Sequence, residues 1–344
     1  MSQRVFIAMS GGVDSSVSAY LLKKAGYDVA GIHLQLYPRT KEAAEKAAAE
    51  LAQTCSILEI PLHYLNLETE FSARIIEPFC RVYENGRTPN PCVQCNRNIK
   101  FGLLLEKVRE LGGEFLATGH YAIVEKSGNL FVLKKGRDTS KDQSYFLYVL
   151  GQKELASVLF PVGGMLKSEV KKVASDLGLP AAEKHESQDI CFIPDNEWRA
   201  FLAGRITVKP GEIVDTDGKV IGRHKGLAFY TIGQRQGMGV SSSQPLYIIR
   251  MDRETSRLVV GFQPDLYRDS LTASTVNWVA GRPPDSNFKV SVRVRYRAVE
   301  SQAQLQIDQK SVRVIFDEPQ RAIAPGQSVV FYQKEVVLGG GIIE

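Results

Sequence analysis

No apolar run in this chain of 344 residues approaches the roughly 20 residues that a membrane-spanning helix needs. The start, Met1-Ser2-Gln3-Arg4, has neither the charged head, the apolar stretch nor the small-residue cleavage site of a secretory leader. Internal repeats and low-complexity segments are missing, and cysteine is scarce: five residues, an odd number at irregular spacing. These absences speak against a membrane protein and a disulfide-stapled secreted scaffold, and they give the expectation of a cytoplasmic chain. What is there is ordinary globular composition, 44% hydrophobic and 24% charged, long enough for two or three domains. The formal net charge of +5 permits a polyanionic partner without demanding one.

The first half alternates strand-like and helical patterns. Val5-Phe6-Ile7-Ala8-Met9 has no polar face, as expected of a parallel strand covered on both sides. Helical spacing over 17–24 stops at Gly26, a strand is expected over 29–34, an alanine-rich helix over 41–58 and a strand over 62–67. A helix over 100–111 ends at Gly112-Gly113, before the apolar run 114–118. This is the βαβ pattern of an open parallel sheet, which places ligands at the carboxyl ends of its strands. The turn Ser10-Gly11-Gly12-Val13-Asp14-Ser15-Ser16 and the pair Gly119-His120 both follow strands, so one crevice can serve both.

A hairpin is expected over 121–136, turning at Ser127-Gly128-Asn129, and a helix over 151–177 ended by Pro180. From about Lys209 helical periodicity gives way to short alternating runs between Gly and Pro, including 246–250, 257–260, 290–297, 311–316 and 328–332, a β-barrel or sandwich pattern. Boundaries near 135 to 150 and near 205 to 210 divide the chain into 1–140, a small α+β unit 141–208 and a β-rich unit 209–344.

Two glycines and three serines between a buried strand and a helix form a turn whose N–H groups, helped by the helix dipole, suit an anion. The turn lacks the lysine of G-x-x-x-x-G-K-[ST] and the spacing of G-x-G-x-x-G. The form S-G-G-x-D-S resembles the loop of ATP pyrophosphatases, which cleave ATP between its α- and β-phosphates. On that likeness the backbone with Ser10, Ser15 and Ser16 holds pyrophosphate, and Asp14 positions Mg²⁺ or the loop itself.

The cysteines divide into two kinds. Cys55 and Cys80 fall in helical stretches and read as small buried hydrophobes. Cys92 and Cys95 form a C-x-x-C unit in the loop Pro89-Asn90-Pro91-Cys92-Val93-Gln94-Cys95-Asn96, with Cys191 almost a hundred residues on. The unit suits half a zinc site (with His185 as a fourth ligand), part of a [4Fe–4S] set with one iron open, or a redox pair with a persulfide-carrying partner. Arg87, Arg97 and Lys100 flank the cysteines and would lower a thiol pKa, while Asn90 and Asn96 offer the donors and acceptors that base edges require.

Taken in order, the S-G-G-x-D-S turn, Asn90-Pro91 with Cys95-Asn96, Ala117-Thr118-Gly119-His120-Tyr121, Lys141-Asp142-Gln143-Ser144-Tyr145-Phe146 and Ser187-Gln188-Asp189-Ile190-Cys191-Phe192 are similar to motifs of the bacterial tRNA-specific 2-thiouridylase family. His224-Lys225-Gly226, Tyr230-Thr231-Ile232-Gly233-Gln234-Arg235, Ala324-Pro325-Gly326-Gln327 and Gly339-Gly340-Gly341 continue the resemblance over essentially the whole chain.

The resemblance implies an α/β ATP pyrophosphatase domain with a parallel sheet, a small central α+β domain and a C-terminal β-barrel. It implies ATP-dependent 2-thiolation of the wobble uridine in tRNAs for glutamate, glutamine and lysine: ATP adenylates the C2 oxygen, diphosphate leaves, and sulfur displaces AMP. Cys95 is then the nucleophile and Cys191 the persulfide carrier, the two forming a disulfide during turnover. ATP falls to Ala8, Met9, Ser10, Gly11, Gly12, Val13, Asp14, Ser15, Ser16, Leu34 and Gly119, with Mg²⁺. Asn90, Pro91, Cys92, His120, Lys141, Asp142, Gln143, Arg295, Tyr296 and Gln327 match positions that touch tRNA. Arg293, Arg295 and Arg297 would share one face of a strand as a stripe for phosphates. The implied partners are tRNA and a sulfur donor, a cysteine desulfurase or relay protein, acting on a monomer or weak oligomer.

One departure matters: many family members carry aspartate where this chain has Cys92. An unperturbed thiol titrates near 8.5 against about 3.9 for aspartate, so Cys92 does not inherit that carboxylate's role. A third thiol opens a branch in which Cys92, Cys95 and Cys191 hold [4Fe–4S], beside the persulfide route. Two other readings remain at this stage: a pyrophosphatase-fold ligase or amidotransferase without sulfur chemistry, and a metal-stabilised RNA-binding protein without catalysis.

Overall fold

A computed structural model describes residues 2–38, 40–183, 190–193, 197–284 and 289–344. His185, Ser187, Gln188 and Asp189, singled out above, lie outside the described residues.

Five parallel strands form the first sheet: β1 (Arg4–Ala8), β2 (Asp28–Gln35), β3 (Leu62–Asn66), β4 (Phe115–Ala117) and β7 (Val158–Leu159), in the order β3-β2-β1-β4-β7. β1 is central and apolar after Arg4, and Val5, Phe6 and Ile7 are fully buried. The helices α1 (Val13–Lys24) and α2 (Lys41–Leu58) fall where the sequence pattern puts them, α2 starting at Thr40, whose Oγ1 accepts from the Ala43 N–H. A helical run covers 68–84, and another covers 91–110 from the turn Pro91–Cys95 onward.

The helix expected over 151–177 is broken. Gln152–Leu155 makes one turn, β7 follows, and the helix Lys167–Asp176 starts only after Gly163-Gly164. Pro161 and the paired glycines interrupt the N–H to C=O ladder. Gly163 is needed there because any Cβ would collide with the Ala122 carbonyl.

β5 (Ala122–Ser127) and β6 (Leu130–Lys135) make the expected hairpin. It belongs to a sheet built mostly from the far end of the chain. β12 (Tyr267–Trp278), β13 (Lys289–Arg293), β14 (Ser301–Ile307), β15 (Ser311–Arg321), β16 (Ser328–Gln333) and β17 (Val336–Ile343) close on themselves through a β12–β17 pairing, and β6 joins β17 at Lys134 and Val336. Gly339-Gly340-Gly341 allows that closure: a Cβ on Gly340 would stand 2.5 Å from the Val329 carbonyl and 2.8 Å from the Tyr148 ring. Between the two units lies a four-stranded sheet, β10-β11-β8-β9, of β8 (Gly211–Val214), β9 (Val220–His224), β10 (Tyr247–Asp252) and β11 (Arg257–Gly261).

One hydrophobic core is shared by both ends of the chain, with Phe6, Leu104 and Leu116 of the first unit packed with Tyr145, Tyr148, Val330 and Tyr332. Burying phenols demands partners, and here the Tyr145 hydroxyl donates to the Ser328 carbonyl at 2.8 Å while that of Tyr148 meets Ser328 Oγ at 3.2 Å. The barrel is thereby fixed against the sheet whose strand ends carry the site.

Candidate active site

At the carboxyl end of β1 the chain turns through Gly11, at φ +78°, and enters α1 with Gly12 as an N-cap that offers no side chain. The first-turn amides of such a helix lack intrahelical acceptors and attract an anion. The serines are folded in on the loop itself: Ser15 and Ser16 hydroxyls donate to the Gly12 carbonyl at 3.0 and 3.1 Å, and Ser10 Oγ accepts from the Gly12 N–H at 3.3 Å. Gly119, after β4, abuts this turn so tightly that a Cβ would stand 2.8 Å from the Asp14 carbonyl carbon and the Ser15 nitrogen.

Asp14 is held from two sides. Lys167 Nζ lies 2.6 and 2.8 Å from its two oxygens, and the Tyr121 hydroxyl donates to Oδ1 at 2.8 Å. A carboxylate already paired with Lys167 and Tyr121 is a poor Mg²⁺ ligand, so this loop offers Mg²⁺ no open carboxylate. Lys167 escaped the motif reading. Its signal was a lysine at the first residue of a helix, where the dipole disfavours positive charge.

A cavity of about 990 Å³ opens over the loop. Ala8, Met9, Ser10, Asp14, Ser15, Leu34 and Gly119 line it, while Gly11, Gly12, Val13 and Ser16 are not part of its lining. His33, also missed, lines it with its Nδ1 2.8 Å from the Met9 carbonyl; a carbonyl only accepts, so Nδ1 donates in this contact.

The same cavity is lined by Cys92, Cys95 and Cys191. Asn90 caps the turn Pro91–Cys95 by accepting from the Val93 N–H, and this places Cys92 and Cys95 one turn apart. Cys95 is buried and Cys191 exposed. Burial pushes the Cys95 thiol up to about 12, with Lys100 pulling the other way. Solvent reaches Cys92, yet desolvation by its surroundings raises that thiol too, again opposed by Lys100. The expectation that flanking cations would lower the thiol pKa is therefore corrected: desolvation outweighs Lys100, and Arg87 is spent on an ion pair with Glu344. Cys55 and Cys80 are buried in hydrophobic clusters and do not line the cavity, although Cys80 shares its cluster with Cys95. Among the described residues no three His, Cys, Asp or Glu side chains are arranged to hold a metal ion. The three thiols share a wall without forming a ligand set for a cluster.

The expected tRNA residues separate into two groups. Pro91, Cys92, His120 and Gln143 line the cavity. His120 is buried, its Nδ1 2.7 Å from Thr118 Oγ1, and desolvation followed by Lys100 lowers its pKa well below the usual value, so the ring is neutral. Gln143 accepts from the Tyr121 N–H. Asn90, Lys141, Asp142, Arg295, Tyr296 and Gln327 are outside that wall. Asp142 is 3% exposed, taking bonds from Gly136, Ser144 and Arg293. Gln327 donates to the Thr88 and Pro89 carbonyls, which ties the barrel to the cysteine loop. Tyr296 packs on Phe146 at 4.4 Å between ring centroids, and Arg295 donates to the Ala322 carbonyl.

The arginine stripe is not a strand face. β13 ends at Arg293, which turns inward to Asp142 and Glu300, and 294–297 form a bend and turn. Ion pairing in the interdomain core won over the alternation that a longer strand would have imposed.

Sequence profiles of three families match the chain: a "tRNA methyl transferase HUP domain" over residues 3–195, a "tRNA methyl transferase PRC-barrel domain" over 199–262 and an "Aminomethyltransferase beta-barrel domain" over 268–343. Full-length relatives include a protein of Thermoanaerobacter sp. (strain X514) named tRNA-specific 2-thiouridylase MnmA 2, 46% identical, covering 100% of this chain and 98% of that one. Proteins named tRNA-specific 2-thiouridylase MnmA from Halothermothrix orenii and Moorella thermoacetica are each 44% identical, covering 99% and 98% of this chain and 99% and 98% of theirs.

Proposed function

Because the chain belongs to the tRNA-specific 2-thiouridylase family, we propose that it replaces the C2 oxygen of a tRNA uridine with sulfur, using ATP. The observation that supports this most is that one cavity is lined by the S-G-G-x-D-S loop and by three thiols. The profile descriptions speak of methyl transfer and the relatives' names of thiolation. A loop suited to polyphosphate beside three thiols favours the second.

MgATP enters as substrate with its phosphates toward the amides of loop 10–16. The uridine O2 attacks the α-phosphorus, diphosphate leaves, and C2 becomes an electrophile with AMP as its leaving group. Sulfur arrives as a persulfide on Cys191, the thiol that a donor protein reaches from solvent. Its terminal sulfur adds to C2 and AMP departs. Cys95 then attacks the Cys191 sulfur, which breaks the S–S bond, leaves sulfur on C2 and forms a Cys95–Cys191 disulfide. A cellular thiol supplies the two electrons that reset it. Burial favours the protonated form of Cys95 in the free protein. The working compartment is the cytoplasm; among the described residues no helix is long and apolar enough to cross a membrane.

Incubation with unmodified tRNA, ATP, Mg²⁺ and a persulfide donor is expected to release AMP and diphosphate only when tRNA is present. Mass spectrometry should find one extra sulfur on Cys191. Absence of tRNA-stimulated AMP formation refutes the function. Activity that tracks iron and sulfide content after anaerobic purification, with no sulfur adduct on Cys191, replaces the persulfide route by the cluster route.

A further inference from the structure

Lys167 is the first residue of its helix and is only 7% exposed. A lysine at a helix start opposes the dipole by about 0.3–1 kcal/mol, and burying its charge adds a desolvation cost. Both are offset at one place. Nζ reaches both oxygens of Asp14, at 2.6 and 2.8 Å, and lies 5.5 Å from the centroid of the Tyr121 ring, whose hydroxyl binds the same carboxylate. The main chain is fixed as well: the Lys167 N–H donates to Asp138 Oδ2 at 2.9 Å, and Glu169 caps the helix by accepting from the Leu166 N–H at 2.7 Å. Asp14 in turn is the second residue of α1, between the glycines that expose the loop amides and the serines that fold back on them.

We propose that Lys167 is a positioning residue for the nucleotide: it neutralises Asp14 and clamps it against Tyr121, which sets the shape of loop 10–16 and keeps an unpaired carboxylate from facing the phosphates of ATP. This rests on the reading that the loop receives ATP. Lys167 acts through Asp14, and the nucleotide meets the loop amides.

The test is the binding of MgATP to the full chain without tRNA, by calorimetry, for wild type, Lys167→Met, Lys167→Arg and the double variant Asp14→Asn/Lys167→Met. Removing one member of a partly buried ion pair leaves the other charge without its partner, whereas removing both does not. Lys167→Met is expected to weaken ATP binding by about tenfold or more, which corresponds to about 1.4 kcal/mol. Lys167→Arg should retain affinity within a few-fold, and the double variant should bind ATP more tightly than Lys167→Met. A double variant no better than Lys167→Met means that one of these side chains contacts the nucleotide or its metal directly, and overturns the proposal; so does Lys167→Met binding as wild type does. Should thermal melting show that Lys167→Met is unfolded, the double variant decides alone: binding within about tenfold of wild type supports the proposal and no binding overturns it. A folded wild type that binds no ATP refutes the nucleotide reading itself.

Discussion

At the residue scale, burial decides what each thiol can do. Cys95 is buried in the cavity wall with its pKa pushed up to about 12, while Cys191, on the same wall, is exposed to solvent. The thiolate is the reactive form, and its population grows tenfold with each pH unit below the pKa. In the free protein, carbamidomethylation of Cys95 by iodoacetamide should therefore accelerate about tenfold per pH unit from 7 to 10 without levelling, and should trail Cys191 at pH 8. A plateau for Cys95 near pH 8 would show a pre-formed thiolate and contradict the account. The sequence displayed the three thiols of the site and set Cys55 and Cys80 aside. It could not rank the reactivity of Cys92 and Cys95, because desolvation depends on what the rest of the chain packs around them. Lys100 is adjacent in sequence and visible there; the surroundings that outweigh it are not.

At the element scale, local signals were legible where neighbours along the chain do the folding. The helix Lys41–Leu58 has its own N-cap, and the β5–β6 hairpin turns at Ser127-Gly128-Asn129 as its glycine requires. The break between 155 and 167 had a local signal in Pro161 and Gly163-Gly164, whereas the early end of β13 and the union of that hairpin with β17 were hidden, since each depends on a partner more than ~20 residues away. The meeting of β4's turn with α1 shows how such contacts build the site. Gly119 passes so close to Asp14 and Ser15 that Ala at this position must displace the loop backbone. Gly119→Ala is expected to fold, because the site lies at a strand end open to the cavity. It should lose ATP affinity by at least tenfold, or about 1.4 kcal/mol, as measured by MgATP titration. Unchanged affinity would mean that loop 10–16 does not hold the nucleotide.

At the scale of the whole molecule, the ends of the chain cooperate on one cavity. The barrel reaches the cysteine loop through Gln327, which holds the Thr88 and Pro89 carbonyls, and through Pro325, whose carbonyl accepts from the Thr88 N–H at 2.8 Å. Gly326 is glycine because a Cβ would meet the Thr88 carbonyl oxygen at 2.9 Å. A partly buried network of Asp142, Arg293, Glu300 and Lys135 ties the end of the β5–β6 hairpin and the segment after it to the barrel. The central claim is that adenylation and sulfur transfer occur in this one cavity on one base. It is tested most directly by counting, in the same reaction, AMP released and 2-thiouridine formed in tRNA digested to nucleosides. The account predicts one AMP for each thiouridine with wild type, and no thiouridine with Cys95→Ser or Cys191→Ser. Thiouridine formed by either serine variant, or AMP released by wild type without thiouridine, would contradict it.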